Sequence, residues 1–596
     1  MRSRWLYFAL ALGLAARLVF EIQLAPYPRQ ERMLNALDDQ SFFVGWSGAM
    51  ARGERYDLAS SPHEWAFWAA RQPHLPPQAP LYPALLALLA LLVGSGPGWI
   101  RALQVAAGLA SVAGVFLVAQ RRFGEPAAAL AALGAALYAP WIFFEATVLR
   151  TSGLVLFFVA LIVALDNLPP QWDRANQRHR LAALGVGALF GLAVLFQEQF
   201  LLLWFGSALW LARGRRGAAR WVMAGGTAVL LPVILWASLA AGRLVAATAS
   251  APFNLLIANL HDAGGQVPAT TPTYDALRLT AIRLPESRVD LVAELAQDLA
   301  AHPRELAHLL ARKVAYLFRP VEIADNVNYY LGRRENLVLQ WMPFDYPTLL
   351  PLALAGLLLT RRRARPAAPL LALAALYASS LIAFVPLARL RQPLAVVVLV
   401  LAGAGVAELW RRRRPTPGFA LAPVAAVAVL LIAGFALRPR PLRQIRPTDW
   451  QMAGEAWGNE GQDRLRHDRA AAARAAFVEA LVRDPYASRA RAALRGIDSW
   501  RAPAAPAPLS SEVEALCEQG SRTAQQGDLA AAGRLLERAT RLAPGHPRPW
   551  HLLSNVLFLA ADREAATSAL ERALRLAPND PVLARNLAFL RGLAEN

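Results

Sequence analysis

Residues 100–150 read IRALQVAAGLASVAGVFLVAQRRFGEPAAALAALGAALYAPWIFFEATVLR, two long apolar runs joined by a short turn that carries Arg121 and Arg122. A helix that crosses a bilayer needs about 20 mostly apolar residues, so the stretch describes a membrane hairpin. Working outward, comparable runs lie at 5–24, 100–120, 126–144, 152–168, 181–196, 199–211, 221–240, 347–359, 367–387, 393–409 and 419–437, about eleven in all. Those at 199–211 and 347–359 are short for a span. Of 596 residues 56% are hydrophobic and 17% charged, against about 25% charged in soluble domains, which sets aside soluble, disordered and collagen-like classes. The net charge is +20, but the arginines cluster between apolar runs, a membrane pattern and not a nucleic-acid one.

Arginine clusters stay on the cytoplasmic face, and threading the chain from Arg2 and Arg4 places Arg121–Arg122, Arg174–Arg180, Arg213–Arg220, Arg361–Arg365 and Arg411–Arg414 all on one side. The N-terminus is then cytoplasmic. Outward face the loops 25–99 and 242–346 and everything after Arg438. Arg2 and Arg4 before a short apolar stretch also fit a cleaved signal peptide, which would leave the later topology unchanged. Residues 80–93, PLYPALLALLALLV, are too few to span; counting them would put the arginines outside, so they are read as a helix along the membrane surface.

After Arg440 the composition turns soluble. ERATRLAPGHP at 537–547 returns as ERALRLAPNDP at 571–581, an offset of 34 residues, with a weaker copy, EALVRDP, at 479–485. That period marks tetratricopeptide repeats, helix pairs that stack because one pair cannot bury its own apolar face. The expected domains are 1–440 in the membrane and 441–596 as a repeat domain, with a Pro/Ala linker at 500–509. Such arrays bind protein segments or serve as a stabilising lid. Cys517, the only cysteine, excludes an internal disulfide and reads as a small buried apolar residue.

Asp38 and Asp39 follow the first span in the outward loop. Adjacent carboxylates raise each other's pKa unless a cation compensates, so the pair suits a general base or a divalent-ion site; a helix N-cap is the plainer reading. Near them Trp46, His63, Glu64, Trp65, Trp68 and His74 suit a sugar or lipid headgroup, or an interfacial aromatic belt. In LARLRQP, Arg389 and Arg391 sit at an outward boundary, against the rule that sets the topology. Arginine forks onto phosphate and never deprotonates, so this exception points to a lipid-linked phosphate, with headgroup snorkelling the alternative. Lys313, the only lysine, is followed by Glu322, Asp325 and Asn326, a cation and acids close enough in sequence to pair. Glu145, at the outer end of a span, needs a cavity or Arg150 as partner. Arg17 and Glu21, four apart on the first helix, are expected to pair with each other. No P-loop, dinucleotide fingerprint, HExxH or nucleophile elbow occurs.

In order along the chain, these motifs resemble the GT-C fold membrane glycosyltransferases, especially bacterial relatives of protein O-mannosyltransferases and of the lipid A aminoarabinose transferase. Asp39, Phe43 and Trp46 are similar to that family's D-x-x-x-Y-x-x-W motif, with Phe43 in place of tyrosine. Ala79 to Pro83 resemble its PPLYP helix, Arg121 to Gly124 its RRLFG, and Ala258 to Gly264 its GNN-x-x-A-x-G element. Arg312, Lys313, Phe318, Glu322 and Asn326 resemble its R-K-x-x-x-F…E-x-x-x-N segment, and Ala388 to Pro393 its ARYRLP. Glu198 stands where many relatives carry arginine, so donor preference is not carried over.

The resemblance implies an all-α, polytopic GT-C type domain followed by an α-solenoid of tetratricopeptide repeats. It also implies transfer of a sugar from a polyprenyl-phosphate carrier to an acceptor hydroxyl on the periplasmic face of a bacterial inner membrane, with inversion. Asp39 is then the base, with Asp38 beside it; Arg389 and Arg391, with Lys313, hold the phosphate; Glu145, Glu322, His74 and Tyr82 complete the substrate-binding set. No cofactor is demanded, and Asp38 with Asp39 would ligate a divalent ion if one takes part. Expected partners are the polyprenyl-phosphate sugar, a glycan, lipid or protein acceptor, the bilayer and a protein on the repeats, but no nucleic acid. A lipid-linked oligosaccharide ligase or polymerase and a non-catalytic envelope scaffold acting through the repeats stay open as alternatives. A transporter would leave the two long outward loops without a purpose.

Overall fold

In hydrocarbon every backbone donor and acceptor must be satisfied within its own segment, so an apolar run of this kind can only be helix. A computed structural model describes residues 4–24, 39–58, 64–72, 75–169, 171–173, 176–242, 248–265, 271–283, 289–319, 321–324, 327–360, 367–411, 458, 461–462, 464, 470–483, 488–496, 509–525, 528–578 and 580–594. Among them the architecture is all-α, and the one β pairing is an isolated bridge between Tyr138 and Phe344. They fall into two compact units, one with the helices up to Arg411 and one with those from Ala470 onward.

The first unit contains α1 (Arg4–Leu24), α2 (Asp39–Ala51), α3 (Glu64–Ala69), α4 (Leu81–Val93), α5 (Pro97–Phe123), α6 (Glu125–Ala136), α7 (Ala139–Glu145), α8 (Thr151–Asp166), α9 (Gln177–Phe196) and α10 (Phe200–Ala212). It continues with α11 (Arg216–Ala241), α12 (Ala251–Asn259), α13 (Pro272–Arg283), α14 (Leu291–Ala301), α15 (Pro303–Phe318), α16 (Tyr329–Glu335), α17 (Leu337–Trp341), α18 (Tyr346–Thr360), α19 (Ala368–Ala383) and α20 (Ala388–Arg411). Of the expected spans, 126–144 is divided between α6 and α7, which break at Leu137 and Tyr138, and every other one except 419–437 falls on a single helix. That run lies outside the described residues, as do Arg2, Arg174, Arg361 to Arg365 and Arg412 to Arg414. Among the described residues five helices, α1, α5, α9, α11 and α20, are long and apolar enough to cross a membrane alone; α6, α8, α10, α18 and α19 are shorter apolar helices. The 13 residues of α4 reach only about 20 Å, short of the ~30 Å hydrocarbon core. Its Leu88, Leu91 and Leu92 are exposed while Tyr82 and Leu86 are buried, the two-sided pattern of a helix lying on a surface.

With no water to expel between them, membrane helices gain from close backbone approach, which small residues permit. On α9, a side chain at Gly187 would strike the carbonyl of Val222 on α11; on α18, one at Gly356 would strike that of Leu401 on α20. Both contacts make glycine obligatory at those crossings.

The first helix is tied in by charge. Arg17 is buried and donates through Nε and Nη2 to the two Glu145 oxygens, at 2.5 and 2.7 Å, while Nη1 donates to the carbonyls of Gly13 and Ala136. This corrects two expectations. Glu21 pairs not with Arg17 but with Arg101 of α5, at 3.0 Å, and Glu145 pairs with Arg17 instead of Arg150. The reason is burial: an ion inside the membrane takes the partner that satisfies it across the packing interface, whereas an i,i+4 neighbour on the same helix offers only a surface-strength contact. Removing one partner strands the other, so Glu145→Ala is expected to destabilise the protein by about 3–5 kcal/mol. The Arg17→Leu/Glu145→Leu double variant should recover most of that loss. Thermal unfolding of the detergent-solubilised protein checks both; equal midpoints for Glu145→Ala and the wild type would contradict the argument.

The direction of each helix sorts the charges to two ends. Arg122, at the end of α5, pairs with Asp166 at the end of α8, and Arg215, before α11, donates to the Pro169 carbonyl. At the opposite helix ends lie Asp39, Arg150, Glu198 and Arg389, which open α2, precede α8, follow α9 and open α20.

The second unit contains α21 (Ala470–Arg483), α22 (Ser488–Gly496), α23 (Ser511–Gln525), α24 (Leu529–Leu542), α25 (Pro547–Leu559), α26 (Arg563–Leu576) and α27 (Pro581–Ala594). The sequence period reappears as local geometry. Asp528 caps α24 by accepting from the Ala531 N–H, and Asp562 caps α26 by accepting from that of Ala565. Pro547 and Pro581 occupy the first position of α25 and α27, where the missing N–H has no intrahelical role. Leu536, Leu552, Leu553, Val556 and the fully buried Cys517 share one core, so the cysteine is the small apolar residue expected of it.

Candidate functional site

Asp39 is the first residue of α2, where a carboxylate faces the positive end of the helix dipole. The helix is seated by its aromatic face. Phe42 packs against Trp46 and Trp65 with ring centroids 5.3 and 4.7 Å apart, and Phe43 meets Tyr82 of α4 edge-on at 5.1 Å. Trp46, Trp65 and Trp68 are buried, so among the described residues this set is core packing and not an open sugar platform. Gln40 accepts from the Val148 N–H at 3.0 Å, which locks the start of α2 to the turn before α8.

With α2 fixed, the Asp39 carboxylate meets Arg389 on α20, 350 positions away, whose Nη2 donates to Oδ2 at 2.7 Å. Both side chains are only 14% and 13% exposed, so the expected base and the expected phosphate ligand are one partly buried ion pair. α20 begins at Ala388, earlier than the sequence suggested, which makes both arginines helical.

Arg391 has a different environment. It is 1% exposed, bridges to Glu322 at 3.0 Å, donates to the carbonyls of Arg319 and Val321 at 2.8 and 3.0 Å, and lies 4.1 Å over the Tyr346 ring. Burial pushes the Glu322 carboxyl up, and the guanidinium opposes that. Arg391 and Glu322 thus hold each other and pin the segment 321–324 to the start of α20.

Lys313 is fully buried. Its Nζ donates to Asn259 Oδ1 at 2.8 Å and the Phe384 carbonyl at 2.6 Å, not to the acids that follow it in sequence. Glu322 is taken by Arg391, and Asp325 and Asn326 lie outside the described residues, as do Asp38, His63 and His74. Burial lowers the Lys313 ammonium to about 8. Between that value and the ordinary 10.5 the unfolded chain holds a proton the folded one has lost, so this group makes stability rise with pH in that window. Because it is the only lysine, ¹⁵N-lysine labelling should give one side-chain NMR signal with a midpoint near 8; an unshifted midpoint would contradict the burial.

Two groups that the sequence reading named without counting them as site residues lie close by. Arg150 donates to Gln78 Oε1 at 2.9 Å, lies 5.0 Å from the Phe43 ring centroid, and feels the charges of Glu198, Arg389 and Asp39 together. Its signal was present, since an arginine at an outward helix end is the same exception that singled out Arg389. Glu198 accepts from Thr248 Oγ1 at 2.6 Å. Tyr82 is buried, edge-on to Phe43 and Phe196, and its hydroxyl has no partner among the described residues. Glu145 stands apart, consumed by Arg17.

Glu198, Gln199 and Thr248 line one part of a groove of about 740 Å³ whose remaining walls, apart from Thr227 and Ser380, are apolar. Leu202, Phe205, Leu230, Ile234, Pro80 and Phe384 are among them. Such a groove takes a chain-like apolar ligand with a polar end near Glu198. For a metal ion, Asp39 has a guanidinium beside it; among the described residues the one set of three acidic or imidazole groups close enough to share an ion is elsewhere, at His261, Asp298 and His302.

Residues 77–238 match the family of dolichyl-phosphate-mannose-protein mannosyltransferases, and residues 524–588 match the tetratricopeptide repeat. The mannosyltransferase match covers Gln78, Tyr82, Arg150 and Glu198. No curated protein matches the chain. Among solved structures it is similar to the oligosaccharyltransferase of Archaeoglobus fulgidus with zinc and sulfate, at 12% identity, over 77% of this chain and 54% of that one, TM-score 0.41. The same organism's enzyme AglB with an inhibitory peptide and a dolichol-phosphate aligns at 13% identity, over 76% and 57%, TM-score 0.38. ArnT from Cupriavidus metallidurans bound to undecaprenyl phosphate aligns at 14% identity, over 100% and 78%, TM-score 0.34. The chain thus spans little more than half the length of the archaeal enzymes.

Proposed function

We propose that this chain is an inner-membrane glycosyltransferase that moves a sugar from a polyprenyl-phosphate carrier to an acceptor hydroxyl on the periplasmic face. The observation that carries the reading is the Asp39–Arg389 pair, which acts on Arg150 together with Glu198, a residue of the largely apolar groove. A lipid-phosphate donor is apolar at one end and anionic at the other. The tail lies between helices in the groove, and the phosphate sits on Arg389 with Arg150 nearby.

In the resting protein Asp39 and Arg389 satisfy each other. An arriving phosphate competes for the guanidinium, which forks onto it and loosens its hold on the carboxylate. Asp39 then takes the proton of the acceptor hydroxyl as its oxygen attacks the anomeric carbon, while the carbon–oxygen bond to phosphate breaks on the opposite face and the configuration inverts. Arg389 stabilises the charge that collects on the leaving phosphate. The match of residues 77–238 to a family named for a dolichyl-phosphate sugar donor supports this donor class. The arginine-rich helix ends support a cytoplasmic face opposite the site, and the repeat unit supplies a surface for a protein partner.

The test is turnover by the purified full-length protein on radiolabelled polyprenyl-phosphate sugars, read as sugar release or transfer. Release from at least one carrier, lost in Asp39→Asn and Arg389→Ala, is expected; no release from any carrier, or equal release by all three proteins, overturns the reading.

A further inference from the structure

Away from Asp39, the turn that follows α12 and the corner between α14 and α15 bring two histidines onto one carboxylate. His261 approaches Asp298 twice, with its ring Nδ1 2.6 Å from Oδ1 and its backbone N–H donating to Oδ2 at 2.8 Å. His302, four residues after Asp298, places its own Nδ1 3.3 Å from the same Oδ1. The imidazoles are stacked, centroids 4.0 Å apart and planes 20° off parallel. The side chains are 29% exposed at His261 and 39% at His302 but only 10% at Asp298, so the cluster is closed below and open above. Above it lies a cavity of about 550 Å³ lined by His261, Glu305, His308 and Arg312.

We infer that His261, Asp298 and His302 form a binding site for a zinc-class divalent ion. Two imidazole nitrogens and one carboxylate oxygen are the donors such an ion prefers, in the number that leaves a further position open. Tetrahedral bonds of about 2.0–2.1 Å set ligand atoms roughly 3.3 Å apart. Two ligand separations, 2.6 and 3.3 Å, lie at or below that spacing; His302 Nδ1 also lies 3.0 Å from the Asp298 carbonyl, so an ion would replace these hydrogen bonds and turn the two stacked rings toward one point. The ligands come from separate elements, and Asp298 and His302 share a helix face at the i,i+4 spacing. An ion here would clip the turn 260–265 to the α14–α15 corner. That turn adjoins Asn259, which accepts from Lys313 and donates to the Ala383 carbonyl. His261 also lines the cavity that Glu305 and His308 line, which leaves room beside the site for a water or an anionic group.

The experiment uses the full-length, tag-free protein in nanodiscs, stripped of metal and titrated with Zn²⁺ against a chromophoric chelator. One zinc per chain is expected, with binding weakened at least about 100-fold in Asp298→Asn and in His302→Ala and unchanged in Asp39→Asn. X-ray absorption of the zinc-loaded wild type should show two imidazoles and oxygen donors. Less than stoichiometric zinc in the wild type, full affinity in both ligand variants, or a spectrum without imidazole would overturn the site. The spectrum decides even where a ligand variant fails to fold.

Discussion

Asp39→Asn is expected to lower kcat about 10²–10⁴-fold while the Michaelis constant for the lipid-phosphate donor stays level or falls. The amide keeps the shape of the carboxylate and one oxygen to accept from Arg389, so α2, held by Phe42, Phe43 and Gln40, has no reason to move. It cannot take a proton from the acceptor, and in rate terms the loss is roughly 3–5 kcal/mol of transition-state stabilisation. The direction of the KM change separates this account from a general loss of structure. In the resting state Asp39 occupies the Arg389 guanidinium, so removing its charge relieves a competitor of the phosphate and strengthens donor binding. Steady-state kinetics with donor binding measured on the same preparations checks both; undiminished kcat would place the base elsewhere, and weakened donor binding would show that Asp39 holds the donor instead.

How far the sequence carries depends on the range of the interaction concerned. The spans are legible because bilayer thickness fixes the length of an apolar run and arginines mark its ends, a local signal that α5, α9, α11 and α20 reproduce. The repeats are legible because Asp528 and Asp562 cap equivalent helices one period apart. Asp39 and Arg389 stood out singly, one by residue type and place, the other by breaking the arginine rule. Their contact was not legible, because 350 intervening residues carry no trace of it. Spacing misled where burial governs: Arg17 lies one helical turn from Glu21 yet takes Glu145, and Lys313 lies near Glu322 in sequence yet takes Asn259. A buried ion is satisfied by what the packed helices bring to it, and packing is not written in nearest neighbours. Arg150 is instructive, because it was read only as a partner for Glu145 although the argument used for Arg389 applied to it equally.

Arg389→Ala and Arg391→Ala, two residues apart, are expected to fail in different ways. On a helix two positions differ by about 200°, so the side chains leave α20 on opposite sides. Arg389 reaches the partly exposed Asp39; Arg391 reaches Glu322, buried with it. Truncating Arg389 removes the group that meets the leaving phosphate and should cost about 10²–10³-fold in kcat, with a higher donor KM and an unfolding midpoint near that of the wild type. Arg389→Lys keeps the charge but loses the fork, so it should recover part of the rate. Truncating Arg391 leaves the Glu322 carboxylate inside the protein with its main counter-charge gone, and unpaired buried ions of this kind cost about 3–5 kcal/mol. Its signature is therefore a lower unfolding midpoint and less protein in the membrane, restored in large part by Arg391→Leu combined with Glu322→Leu, a rescue no Arg389 variant would show. Should Arg391→Ala instead fold normally and lose only turnover, both arginines would belong to the phosphate site, and the pair with Glu322 would have to open when the donor binds.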